Sequence, residues 1–129
     1  MAKEQPVIFV IDDDASVRRA IRRLLLSTGL PIRMFTGAEE FLAQTRVGTR
    51  GCVILDLWLA GLSGLQLQKQ LASQEWNLPV IIVTAHDDDE AKDTAMRMGA
   101  VAYLRKPFDR QQLLAAVHAA IAEAQTLPG

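Results

Sequence analysis

One cysteine, Cys52, is all the chain carries, so no internal disulfide can staple it; a lone thiol inside an apolar run reads as buried packing in a reducing cytosol. No apolar run approaches the length needed to cross a bilayer, and Met1 to Pro6 lacks the apolar centre of a signal peptide. The reading is therefore cytoplasmic, with no membrane partner. Neither sign of charge is in excess: 14 basic against 15 acidic residues give a formal net charge of −1, which supplies no basic field to draw nucleic acid, and DNA binding by this chain alone is not expected. The two histidines, His86 and His118, have no second histidine or cysteine at ligand spacing, so zinc is not expected. His118 reads as helix surface. No serine, cysteine or histidine stands with a base partner, which removes acyl transfer. There is no repeat and no low-complexity stretch. What is abundant is apolar residues, 50% of 129, enough for one domain with its own core.

Those apolar residues are arranged in alternating short runs and amphipathic stretches. Val7 to Ile11 is a strand that runs straight into Asp12, Asp13 and Asp14. From Ala15 to Thr28 a helical face carries Val17, Ile21, Leu24 and Leu25, with Arg18, Arg19, Arg22 and Arg23 mostly off it, and Gly29 stops the helix. Pro31 to Phe35 is a second strand. Thr36 is placed to cap a helix carrying Phe41 and Leu42, with Glu39 at the capping-box position. A loop, Thr45 to Gly51, leads to a third strand, Cys52 to Leu55, that ends at Asp56. After Gly61, Ser63 and Gly64 comes a helix with Leu67 and Leu71 inward and a glutamine-rich exposed face. Val80 to Val83 forms a fourth strand ending at Thr84-Ala85-His86. The run Asp87-Asp88-Asp89-Glu90 reads as a solvated loop and acidic helix start, followed by Ala91, Ala95 and Met98. A fifth strand, Ala100 to Leu104, meets Lys106-Pro107-Phe108, and a last helix holds Leu113, Leu114, Val117 and Ile121.

Near-continuous apolar strands separated by helices predict an α/β fold: a doubly wound, five-stranded parallel sheet with five helices on its two faces. Functional groups then gather at the carboxyl ends of the strands, where Asp12, Asp13, Asp56, Thr84 and Lys106 all fall. Neighbouring carboxylates resist joint ionisation unless a cation joins them, and oxygen ligands suit Mg²⁺. A carboxylate held beside Mg²⁺ and an ammonium can attack a phosphoryl group, which makes Asp56 the candidate nucleophile. Asp14 reads as a plain helix cap, since acids favour helix N-termini.

This ordered set, Asp12-Asp13, Asp56, Thr84-Ala85 and Lys106-Pro107-Phe108, resembles the receiver domain of bacterial two-component response regulators over Val7 to about Glu123. Within that family Gly51-Cys52-Val53-Ile54-Leu55-Asp56, Leu62-Ser63-Gly64-Leu65-Gln66-Leu67-Gln68 and Lys106-Pro107-Phe108 resemble FixJ-like regulators. The resemblance implies a flavodoxin-like, CheY-like sheet of strand order 2-1-3-4-5. It implies that Asp56 accepts phosphoryl from a sensor histidine kinase, that Asp13 binds Mg²⁺ directly with the Trp58 carbonyl, and that Asp12 holds it through water. Thr84, Ala85 and Lys106 would contact the phosphoryl group, and Tyr103 would change rotamer as Thr84 moves. Trp58 and His86 would flank the approach of a hydrolytic water, and Lys106-Pro107 would be a cis peptide. Family members usually carry proline where Ala60 stands and often methionine where Leu59 stands.

The expected function is a phosphorylation-activated switch rather than a turnover enzyme, with residues 1–125 as the receiver and 126–129 starting a linker to an output domain outside this chain. DNA would be reached only through that domain. A homodimer on phosphorylation is expected through the last helix-strand-helix, because Thr84 leads into a helix whose apolar face is small. A stand-alone relay receiver is the near alternative. A Mg²⁺-dependent phosphatase with an aspartyl nucleophile would keep a second acid where Trp58 stands. A flavin or nucleotide module would need a Gly- or Ser/Thr-rich loop where the three aspartates stand. The arginines of the first helix are either a solvated face or part of the kinase contact.

Overall fold

The computed structural model describes residues 5–73, 76–86 and 88–126. Five strands alternate with five helices: β1 (Val7–Ile11), α1 (Ala15–Leu25), β2 (Ile32–Phe35), α2 (Ala38–Gln44), β3 (Gly51–Asp56), α3 (Gly64–Leu71), β4 (Val80–Thr84), α4 (Asp89–Arg97), β5 (Ala102–Arg105) and α5 (Arg110–Thr126). All neighbouring strands are parallel, in the order β2-β1-β3-β4-β5. This is the expected sheet.

The period of two along each strand sorts side chains into two layers. Phe9, Ile11, Val53, Leu55, Val80 and Ile82 pack on one face with Phe41 of α2, Leu67 and Leu71 of α3 and Ala95 of α4. Ile8, Val10, Cys52, Ile54, Ile81 and Val83 pack on the other with Ile21 and Leu25 of α1 and Leu113 and Val117 of α5. Because β1, β3 and β4 are covered on both faces, they read as unbroken apolar runs. Full burial of each large aliphatic or aromatic side chain stabilises by about 1.5–3 kcal/mol. The few aromatics are concentrated: Phe41 meets Phe9 and Phe35 edge-on, with centroids 5.3 and 5.4 Å away, and lies 5.7 Å from Trp76.

Several local expectations are corrected. The first helix ends at Leu25, and Leu26–Thr28 is a tighter 3-10 turn closed by Gly29 at φ 71°. The fifth strand begins at Ala102, two residues later than its apolar start, and Ala100 instead bonds back to the Ala95 carbonyl of α4. Gly37 is the cap residue of α2, without a side-chain bond, and the backbone N–H of Thr36 donates to Glu40, not Glu39. Gln68 is not on the glutamine-rich exposed face: it is buried and its amide donates to the Ala95 carbonyl at 2.8 Å. Helix α5 runs through Thr126, so the expected linker start is helical there, and residues 127–129 lie outside the described residues. So does Asp87 of the acidic run; Asp88 caps α4 by accepting the Ala91 N–H.

Register of β3 against β1 depends on Gly51. Its φ is 151°, and a Cβ there would run into the backbone of Val7, its partner residue. Gly51→Ala is expected to destabilise the fold by about 2–3 kcal/mol, as overpacking against backbone does, measured as a lower urea midpoint at unchanged slope.

Candidate functional site

Strand register decides which carboxylates meet. Ile11 pairs with Leu55, so the next residues, Asp12 and Asp56, leave the sheet side by side. Both are buried, at 0% and 7% exposure, while Asp13 points outward. Oxygens of Asp12, Asp13 and Asp56 lie within 4.8 Å of one another. Lys106, just past β5, reaches back across the edge: its Nζ donates to Asp12 Oδ2 at 2.7 Å and to Asp56 Oδ2 at 3.4 Å. The Lys106-Pro107 peptide is cis.

The neighbours of this cluster hold it rigid. Asp12 Oδ1 accepts the Asp14 N–H at 3.0 Å, and the Asp12 carbonyl accepts from Arg18 Nη1 at 2.6 Å. Asp56 Oδ1 accepts the Trp58 N–H at 3.0 Å. Asp14 caps α1 through Ser16 and Val17, and the bonds from Ser16 hold its carboxyl below the usual value. Burial pushes the Asp56 carboxyl above the ordinary carboxylate value; the Trp58 N–H and the Lys106 charge oppose that rise, and Asp12 adds to it. Burial works against the Lys106 ammonium, yet the bond to Asp12 and the attraction of Asp56 outweigh it and hold its pKa above the usual lysine value.

Three carboxylates against one ammonium leave two negative charges uncompensated, and every donor is a hard oxygen. That donor set suits a small divalent cation of the Mg²⁺ type. Cys52, by contrast, is buried near the start of β3 against α1 and α5, and burial alone pushes its thiol up to about 12, which makes it inert packing.

The remaining predicted residues are distributed around this centre. Thr84 ends β4 with its side chain buried; its Oγ1 accepts the His86 N–H at 3.2 Å and its carbonyl accepts the Lys106 N–H at 2.8 Å. Ala85 is exposed beside it. Trp58 and His86 are both exposed and stack loosely, with ring centroids 4.6 Å apart. Trp58 also lines a cleft of about 480 Å³ between the β3–α3 loop and the start of α4, with Leu57, Leu59 and Ala91. Tyr103 is half-buried on β5 and faces α4, its ring centre 5.8 Å from the Lys92 ammonium. His118 is exposed on α5.

Three contributors were not among the predicted site residues. Arg18 belongs to the arginines expected to form either a solvated face or part of a kinase contact, and one of its nitrogens donates to the Asp12 carbonyl just after β1. Gly64 opens α3 directly against the backbone of Asp56 and Leu57, where a Cβ has no room. Glu39 reaches the β3–α3 loop from α2, accepting the Leu62 N–H at 2.8 Å. Ser63 caps α3 by accepting the Gln66 N–H, and a glycine directly after such a serine is a sequence signal for the second; a tertiary bond over 23 residues leaves no such signal for the third.

Residues 8–118 match the family described as the response regulator receiver domain. The transcriptional regulatory protein TdiR of Thauera aromatica is 43% identical over 89% of this chain and 51% of its own length. Nodulation protein W of Bradyrhizobium diazoefficiens is 42% identical over 92% of this chain and 52% of its own. The chain thus spans about half the length of these curated relatives. Among solved structures, response regulator StyR superposes with a TM-score of 0.86 at 39% identity, covering 94% of this chain and 61% of that one. Full-length FixJ from B. japonicum gives 0.80 at 35% identity, covering 96% and 61%.

The raised Asp56 pKa has a consequence for stability without metal. A carboxyl that titrates higher in the folded state stabilises the fold fully below its unfolded pKa and loses that contribution as pH rises through the folded value. Asp56→Asn, which keeps an oxygen for the Trp58 N–H, is therefore expected to melt above the parent at pH 7 in chelator. The gap should close on acidification below about pH 4, the ordinary carboxylate range. Equal melting temperatures at pH 7 would contradict the burial cost assigned to this carboxylate.

Proposed function

The chain belongs to the response regulator receiver domain family, and from that premise we propose that it is a phosphorylation-activated switch with Asp56 as phosphoacceptor. The carrying observation is the triangle of Asp12, Asp56 and Lys106 at the sheet edge, where one buried carboxylate lies beside both an acid pair and an ammonium. A carboxylate oxygen of Asp56 attacks the phosphorus of a phosphohistidine on a sensor histidine kinase. The new bond is P–O, the P–N bond breaks, and its electron pair stays on the imidazole. Bound Mg²⁺ would supply neutralisation of the phosphoryl oxygens, held directly by Asp13, Asp56 and the Trp58 carbonyl, and through water by Asp12.

The other roles follow from where the side chains sit. The Lys106 ammonium, already shared between Asp12 and Asp56, is within reach of a phosphoryl oxygen on Asp56. The Thr84 hydroxyl, which now accepts the His86 N–H, would turn to donate to another phosphoryl oxygen, with Ala85 lining the same side. The space vacated by Thr84 would admit Tyr103, and α4, in which Ala95 is the buried residue, would shift with it. A homodimer through α4, β5 and α5 would be the readout.

Relatives named as transcriptional regulators support an output in transcription control, exerted on DNA by a further domain reached through a linker after α5, over a stand-alone relay. A cytoplasmic place suits a kinase-fed regulator, and no described helix is long and apolar enough to cross a membrane. The chain would catalyse nothing beyond its own phosphoryl transfer and loss. A phosphatase would need an acid where Trp58 stands.

Incubation with acetyl phosphate and Mg²⁺ is expected to add one phosphoryl group and to double the mass seen by light scattering. Asp56→Asn should do neither, and equal labelling of that variant would sink the assignment. The lifetime of the phosphorylated form should depend on Trp58, whose exposed ring lies 4.6 Å from that of His86 and has no acceptor to orient a water, if the two rings flank the approach to Asp56 as the family resemblance implies. Trp58→Asn is expected to speed dephosphorylation about tenfold, equivalent to roughly 1.4 kcal/mol of barrier. The rate is measured with Mg²⁺ present and kinase absent, and a variant as slow as the parent would release Trp58 from this role.

A further inference from the structure

The loop between Asp56 and α3 carries the Trp58 carbonyl, yet most of it lies outside regular structure. Its own bonds are at its ends. The Trp58 N–H donates to Asp56 Oδ1 at 3.0 Å, the Gly64 N–H to the Leu57 carbonyl at 3.1 Å, and the Ser63 N–H to Gln66 Oε1 at 2.9 Å. In between stand Leu59, Ala60, Gly61 and Leu62, with Gly61 at φ 76°. Here the partner comes from outside the loop. Glu39 Oε2 accepts the Leu62 N–H at 2.8 Å, and the same carboxylate is packed so closely on Gly61 that a Cβ there would collide with it.

The two acids in the first turn of α2 divide their work. Glu40 turns back to accept the Thr36 N–H at 3.1 Å and so serves its own helix. Glu39 spans 23 residues to another loop. The Leu62 N–H holds the Glu39 carboxyl below the usual glutamate value, so the ionised form is the acceptor.

We infer that Glu39 is a positioning residue for the site: it anchors the β3–α3 loop to α2 and thereby fixes the Trp58 carbonyl where a metal bound by Asp13 and Asp56 would meet it. The inference rests on the metal role proposed for that carbonyl. A loop carbonyl contributes to a cation only if its direction is set before binding; otherwise the cation must order the loop, and that ordering weakens its affinity.

The test separates an acceptor from a charge. Glu39→Ala removes both the acceptor and the favourable charge at the start of α2, whereas Glu39→Gln removes the charge and keeps an amide oxygen for Leu62. Mg²⁺ is titrated into each full chain and followed by the fluorescence of Trp58, which is exposed on the loop, while Trp76 is buried in the core beside Phe41. Glu39→Ala is expected to weaken Mg²⁺ about tenfold, the low end for groups that orient a metal ligand, and to speed hydrogen exchange at the Leu62 amide. Glu39→Gln should stay close to the parent in both. Thermal melting in chelator should be near the parent for both variants, because the side chain is exposed.

Parental Mg²⁺ affinity in Glu39→Ala, or an equal loss in Glu39→Gln, would overturn the inference. A parent chain without any response to Mg²⁺ would overturn the metal reading and this role together, and is told apart from the first case by the parent's own titration.

Discussion

Like charges forced together at one sheet edge are the constraint from which the rest of the structure is best understood. Placing β3 beside β1 brings Asp12 and Asp56 out of the sheet as neighbours, and both are almost completely shielded from water. Such a pair is tolerable only with compensation, since an unpaired buried charge costs several kcal/mol. The chain supplies it from three directions: the Lys106 ammonium from β5, the Asp14 N–H from the start of α1, and the Trp58 N–H from the loop after β3. With exposed Asp13 beside the pair, the compensation is incomplete by two charges. A core free of that deficit would be more stable and would have nothing with which to hold a cation or a phosphoryl group.

The same edge is joined to the loop before α4 through Thr84. Its hydroxyl is engaged with the backbone of His86 and its carbonyl with the backbone of Lys106, so one residue touches both the loop before α4 and the lysine of the site. Beyond it, α4 buries Ala95 and presents Lys92 to the ring of Tyr103. A helix so lightly seated can move at small cost in packing. The opposite layer, where α1 and α5 bury Ile21, Leu25, Leu113 and Val117 against the sheet, has no comparable freedom.

The fold was legible because doubly covered parallel strands leave a coarse mark, short apolar runs that stop at polar residues. Asp12, Asp56 and Thr84 were legible for the same reason: each is the residue at which such a run stops. Lys106 was placed by its position after the fifth run, although that run begins later in the structure than its apolar residues suggest. What escaped were contacts that no local pattern encodes. Glu39 stood at capping-box spacing and was assigned to its own helix, yet its neighbour Glu40 does that work and Glu39 bonds a distant loop. Gln68 looked like surface by its polarity and proved to be an internal tie between α3 and α4. In both cases the partner is set by tertiary geometry: a loop 23 residues away for Glu39 and the Ala95 carbonyl of α4 for Gln68.

The bond from Lys106 to Asp12 joins residues 94 apart in the chain, nearly its two ends. No fragment that stops short of β5 can contain the ammonium, and no local element can form the pair in advance. Closing a loop of that length is entropically unfavourable and is repaid only by the strands packed between. A half-made chain leaving the ribosome therefore exposes its acidic edge without its cation. The complete constellation of charges exists only once β5 has joined the sheet, which ties the chemistry of the edge to the last step of sheet assembly.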